Sequence, residues 1–211
     1  MTAPTPPVLP DARLAAGAAR LAAQHTGRFS TETVQALIVD SYMQLAATAR
    51  ISTHLVVLAE RWTAERLDSL EHLRKRPGGR KPRVLFVCSH NAGRSQLAAA
   101  LLAHRAAGRV RVSSAGTTPA VAVEPFVAQV LTEAGVDPSG AFPKPLTDEA
   151  VRAADIVVTM GCGDACPVVP GPRYLDWPVP DPRDAPIAVV RQIRDEIDAH
   201  ITELLDSLPT T

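Results

Sequence analysis

The chain has 211 residues, 46% of them hydrophobic and 21% charged, the composition of a folded globular protein of one ordinary domain plus an appendage. Its 22 basic and 22 acidic residues cancel, which argues against a nucleic-acid or membrane-surface role resting on charge. No run reaches the roughly 18 apolar residues that a membrane span needs.

Residues 1–9 are Pro-rich and are expected to be disordered. No basic stretch precedes an apolar one here, and Asp11 and Arg13 fall where a secretory signal would turn hydrophobic. The expected location is therefore the cytoplasm, where thiols stay reduced. Residues 10–76 carry helical periodicity throughout and predict a small three-helix bundle. Leu14, Ala18 and Leu21 share one face of the first helix. Ser30 is placed to cap the second, whose apolar stripe is Val34, Leu37, Ile38, Tyr42 and Leu45. Ser52 or Thr53 opens the third, with Leu55, Leu58, Trp62 and Leu70 inward and Glu60, Arg61, Glu65 and Arg66 outward. A bundle this short buries little surface, so pairing with a second copy is expected to help it. Residues 77–82, inside the run RKRPGGRKPR, form a solvated linker, because Pro and Gly stop a helix and the charges keep it wet. The run is short and lacks aromatics, which weighs against a nucleic-acid patch.

From residue 83 the pattern changes to α/β. Val84 to Val87 is a short, β-branched-rich run of the kind buried on both faces of a parallel sheet. A turn follows, then a helix from Ser95 to about Ala107, a strand at VRVSS, and helices near Glu124–Ala134 and Thr147–Ala153. The strand Asp155–Met160, a fourth strand near Arg173–Leu175 and an amphipathic helix from about Pro186 to Leu208 complete the chain. Strands alternating with helices predict a parallel sheet covered on both faces.

The chemistry gathers around three cysteines, an odd number that suits reactivity better than a disulfide scaffold. Between Cys88 and Arg94 lie Ser89, His90, Asn91, Ala92 and Gly93, and Ser95 follows at once. A loop of that length between a strand and a helix can turn its backbone N–H groups inward, making an anion-binding nest at a helix N-terminus. The guanidinium of Arg94 would close the ring with a two-pronged contact suited to a tetrahedral oxyanion. The same positive field favours a thiolate at Cys88, and Ser95 is placed to donate a hydrogen bond to it. A Cys with an Arg six positions on is common by chance. The buried strand before it, the Asn and Gly between, and the Ser and helix after it are not common together. Asn91 is read as holding the loop's shape and His90 as a surface residue.

Residues 83 to about 208 resemble the low-molecular-weight tyrosine phosphatase superfamily. Within it, HNAGRSQ resembles the arsenate reductase branch more than the phosphatases, which usually carry a second cysteine where this chain has Gly93. The resemblance implies a four-stranded parallel sheet of flavodoxin-like order, preceded here by the three-helix bundle, with the ligand at the carboxyl ends of the strands. It implies a general acid on an Asp-Pro loop. In YLDWPVPDPRD that acid is Asp181, with Trp177 as an anchor and Asp176 as the weaker choice. Cys162 and Cys166 follow the strand DIVVTM directly, on the rim where Cys88 should also lie. By analogy with three-cysteine arsenate reductases, Cys88 attacks arsenate, Cys162 attacks Cys88, and Cys166 takes over the disulfide for thioredoxin or a similar dithiol to reduce. A bond between positions i and i+4 calls for a loosened segment, which Gly161 and Gly163 would ease.

No His stands at ligand spacing from GCGDACP, so a zinc site is not expected. No cofactor is implied, and Ala99 and Ala100 stand where some members carry a glutamate associated with potassium. Three-helix extensions of this kind are associated with dimerisation, which makes a homodimer through residues 10–76 the expected assembly. Two other readings share these residues: a phosphomonoesterase like the tyrosine phosphatases, and an arsenate reductase using a small thiol such as mycothiol with a glutaredoxin-like partner.

Overall fold

The computed structural model describes residues 12–49, 54–74, 81–162 and 166–208. The expected disorder at 1–9, the opening of the third helix at Ser52 or Thr53, most of the linker at 77–82, and Gly163 lie outside them. The chain forms two compact units, Met1–Lys75 and Arg76–Thr211.

The first unit holds α1 (Ala12–Gln24), α2 (Thr31–Ala46) and α3 (Leu55–Arg74). Leu14, Ala18 and Leu21 of α1 and Val34, Ile38 and Leu45 of α2 are buried. Ser30 caps α2, its Oγ accepting the Thr33 N–H at 3.2 Å, a contact of the kind that stabilises a helix by about 1 kcal/mol. The face of α3 agrees with the one expected at Leu55 and Trp62 and differs elsewhere. Leu58 and Leu70 are half-buried, whereas Leu55, Val56, Ala59, Trp62, Thr63 and Leu67 are buried. Thr63 tolerates burial because its hydroxyl donates to the Ala59 carbonyl at 2.6 Å. Glu60 and Arg66, expected to face water, bind Arg20 and Asp40 across the helices, each at 2.6 Å.

The second unit runs β1 (Arg83–Cys88), α4 (Arg94–Ala106), β2 (Arg111–Gly116), α5 (Pro125–Glu133), α6 (Asp148–Arg152), β3 (Ile156–Thr159), β4 (Arg173–Asp176) and α7 (Ile187–Ser207). Among the described residues these make one four-stranded sheet, ordered β2-β1-β3-β4 and parallel throughout. β1 is central, and its side chains alternate between two cores. Val84, Phe86 and Cys88 join Leu97, Leu101, Val127 and the α7 stripe of Val190, Ile193, Ile197 and Ile201. Leu85 and Val87 join Ala115, Val151 and Val157 on the other face. Burying a side chain of this size is worth about 1.5–3 kcal/mol, so the double-faced burial of β1 holds it rigidly. The register sets Cys88 beside Gly116, and Val87 beside Thr159, which in turn lies beside Asp176. The carboxyl ends of all four strands therefore share one rim.

Candidate active site

The loop from Cys88 to Arg94 turns all of its carbonyls from Cys88 to Ala92 toward other parts of the unit. Those of Cys88, Ser89, His90 and Ala92 accept from the N–H groups of Thr117, Thr118, Ala120 and Glu124, at 2.8 to 3.3 Å. The Asn91 carbonyl accepts from Gln96 Nε2 at 2.9 Å. In a planar trans peptide each N–H points opposite its carbonyl, so the amides of residues 89–93 turn into the ring. The Asn91 N–H does so, donating to Cys88 Sγ at 3.2 Å.

Asn91 is fully buried and left-handed, with φ 48°, a conformation that Asn adopts more readily than most residues. Its Oδ1 accepts the Lys144 N–H at 3.0 Å, and its Nδ2 donates to Ser95 Oγ at 2.9 Å. A backbone N–H only donates, so this contact fixes which end of the amide is which. Ser95 Oγ is then an acceptor from Asn91 and lies in hydrogen-bond contact with Cys88 Sγ, 2.9 Å away. The cysteine sulfur thus has two hydrogen-bond partners in a buried site, the Asn91 N–H and Ser95 Oγ.

Arg94 begins α4 and is buried, yet its Nε has no hydrogen-bond partner among the described residues. A buried guanidinium N–H left unpaired is expensive unless a ligand satisfies it, and here the nest lies beside it. Its Nη2 donates to Asp181 Oδ2 at 2.7 Å, so the Asp-Pro loop brings the Asp181 carboxylate to the ring. Two glycines allow these approaches. A Cβ on Gly161 would collide with Arg94 Nη1, and one on Gly93 would collide with the ring of Pro182. Trp177 anchors the Asp-Pro loop, buried against Phe86 and stacked on His200 with centroids 4.9 Å apart. Asp176 is turned elsewhere and accepts from Thr159 Oγ1 at 2.6 Å. His90 is half-buried, more enclosed than a surface residue would be, and its Nδ1 lacks a partner among the described residues.

Cys162 and Cys166 are joined by a disulfide with Cα atoms 6.0 Å apart, and Cys88 is free. Gly161, with φ 71°, turns the chain out of β3 just before them. Cys162 Sγ lies 3.9 Å from the Val87 carbonyl, so it sits against the residue next to Cys88. The two sulfurs nevertheless belong to opposite faces of β1. Cys88 packs in the core with Phe86, and Cys162 packs in the one with Leu85 and Val87. Cys162 is buried, whereas Cys166 is half-buried and more open to a partner. Among the described residues no cluster of His, Cys, Asp and Glu could hold a metal.

Sequence reasoning missed Gln96, whose Nε2 also donates to the Phe142 carbonyl at 2.7 Å and so ties the loop to a segment 46 residues away. It named Gly161 for pliancy and missed its close approach to Arg94. A left-handed Asn followed by a buried Gln is a faint signal at best, because the partners are remote in sequence.

Residues 83–211 match the family described as low molecular weight phosphotyrosine protein phosphatase. The chain belongs to that family. Residues 14–71 match a separate domain described as protein-tyrosine-phosphatase-like, N-terminal. Within the family's known structures, the Corynebacterium glutamicum thioredoxin-dependent arsenate reductase Cg_ArsC1' is 48% identical. It superposes with a TM-score of 0.81 over 92% of this chain and 95% of its own. An arsenate reductase from Halalkalibacterium halodurans is 33% identical over 128 residues, 56% of this chain and 91% of that protein. A structure titled as an arsenate reductase in the phosphate binding state is 28% identical, with a TM-score of 0.53 over 61% of this chain and 99% of its own. Among the described residues no helix is long and apolar enough to cross a membrane.

Proposed function

We propose that the protein reduces arsenate to arsenite, with Cys88 as nucleophile and the pair Cys162–Cys166 as the redox relay. One observation carries the reading: a disulfide-forming cysteine pair stands on the same strand rim as an oxyanion nest built around a third, free cysteine. Hydrolysis of a phosphomonoester uses the nest and the acid but has no use for the pair. The Corynebacterium glutamicum relative, similar over nearly the whole chain, carries a name that agrees with this chemistry.

In the first step the arsenate oxygens take the inward amides of residues 89–93 and the free Nε of Arg94. The oxyanion displaces the Asp181 carboxylate from Arg94. Asp181, once released, takes up a proton from the bound dihydrogen arsenate. Cys88 thiolate then forms a bond to arsenic, and the departing hydroxide leaves as water with that proton. In the second step Cys162 thiolate attacks Cys88 Sγ. The S–S bond forms, the S–As bond breaks with its electron pair left on arsenic, and As(V) becomes As(III) as two sulfurs are oxidised. In the third, Cys166 thiolate attacks Cys162 and releases Cys88 thiolate. The remaining Cys162–Cys166 disulfide is then reduced by thioredoxin or a similar dithiol protein in the cytoplasm. Homodimerisation through residues 10–76 belongs to the same proposal, and light scattering of the full chain at high micromolar concentration tests it.

The deciding test is single-turnover mass spectrometry of pre-reduced protein given arsenate. The expected products are arsenite and a protein 2 Da lighter, with Cys162 linked to Cys166. Cys88→Ser should lower turnover by at least roughly 10⁴-fold, as loss of a nucleophile does elsewhere. Hydrolysis of p-nitrophenyl phosphate that survives loss of both relay cysteines, with no arsenate-dependent NADPH oxidation through thioredoxin and its reductase, would assign the protein to the phosphatases.

A further inference from the structure

One contact at the rim has no part in the chemistry above. Ser89 Oγ donates to the Gly161 carbonyl at 3.0 Å, joining residues 72 positions apart. It ties the residue immediately after Cys88 to the residue immediately before Cys162. Met160 is held by its N–H on the Val87 carbonyl at 2.8 Å, so the chain is still in register with β1 there. The freedom to turn begins at Gly161, whose left-handed φ of 71° already bends the path. For Cys162 to leave the Leu85–Val87 face and reach Cys88 on the other, the chain must swing about this glycine. The swing withdraws the Gly161 carbonyl from Ser89.

We propose that Ser89 is a positioning residue that latches the relay segment on the far face of β1, so that Cys162 attacks Cys88 only after the Ser89–Gly161 hydrogen bond opens. The inference rests on the relay reading. The latch has a second consequence, because Gly161 packs directly against Arg94 Nη1. Opening it loosens one wall of the guanidinium's seat as arsenic takes up its electron pair, which favours release of arsenite at that step rather than before it.

The experiment compares the full-length wild type, Ser89→Ala and Ser89→Thr, the last of which keeps the hydroxyl. In the Cys162–Cys166 disulfide form, with no arsenate present, hydrogen exchange at residues 161 and 162 should run about fivefold faster in Ser89→Ala, the effect of one ordinary hydrogen bond, and at the wild-type rate in Ser89→Thr. Rapid quench at saturating arsenate then follows the Cys88–Cys162 bond in a Cys166→Ser background, where it cannot pass on. It should form about fivefold faster with Ser89→Ala and at the parent rate with Ser89→Thr. Equal exchange in all three proteins, or a sulfur-transfer step that Ser89→Ala leaves unchanged or slows, overturns the latch. If arsenate produces no Cys88–Cys162 bond in any of them, the arsenate reading is what fails. The bond is then driven with diamide, and the same order of rates is required.

Discussion

Arg94 packs against Gly161, a position that carries no side chain, and that sets the sharpest residue-scale predictions. Gly161→Ala meets two obstacles, a left-handed φ and a collision with Arg94 Nη1. Moving the guanidinium by about 1 Å should lower kcat/KM for arsenate by roughly 100-fold and weaken inorganic phosphate binding by calorimetry. An unchanged phosphate affinity would show that Arg94 does not hold the oxyanion. Asn91→Ala removes the amide that donates to Ser95 Oγ and so holds Ser95 against Cys88. Alkylation of Cys88 by iodoacetamide should slow by about tenfold at pH 7, because a charge-assisted hydrogen bond is involved. The grouping of Cys88, Arg94 and Ser95 was legible in sequence because local spacing carries it, whereas Asp181 was reached through the family resemblance. Gln96 and the Gly161 approach were not, because their partners Phe142 and Arg94 lie 46 and 67 positions away along the chain.

Strands and helices bring these residues together through ties that can be tested one at a time. Arg191 on α7 grips Glu133 on α5 with both Nε and Nη2, each at 2.8 Å. Those hydrogen bonds, helped by Gln129, hold the Glu133 carboxyl down at about 2 against an ordinary 4.5. A carboxyl with a lowered folded-state value stabilises the fold above its ordinary value and loses that contribution as pH falls toward about 2. Wild type should therefore melt above Glu133→Gln at pH 7, with the gap closing between pH 4.5 and pH 2. Both groups are solvent-exposed, so the gap should be small and should shrink in 1 M salt. A gap that persists at pH 2 would assign it to packing. The elements themselves were largely legible, since β1 announced its double burial in an unbroken apolar run. The buried face of α3 was legible only at Leu55 and Trp62. Ala59, Thr63 and Leu67 form its core stripe, and small or hydroxylated residues give a weak apolar signal when their partners are unknown.

At the scale of the molecule, little more than half of this chain accounts for 91% of the Halalkalibacterium halodurans arsenate reductase. The family match at residues 83–211 lies within the unit Arg76–Thr211. Residues 81–211 alone should keep arsenate-dependent disulfide formation within about twofold of the full chain in single turnover, as expected for a domain with its own core. A loss beyond tenfold would show that the helical unit takes part in the chemistry.

By itself the sequence determined the order of elements and singled out Cys88 and Arg94 as candidate nucleophile and oxyanion ligand, because these rest on a local pattern of burial or on spacing within one loop. Asp181 was reached through the family resemblance. Only the tertiary structure decided which face of β1 each sulfur occupies, which end of the Asn91 amide points to Ser95, and what Gly161 touches. Those are contacts between segments far apart along the chain, and their geometry follows from strand register and side-chain alternation, which no single segment encodes alone.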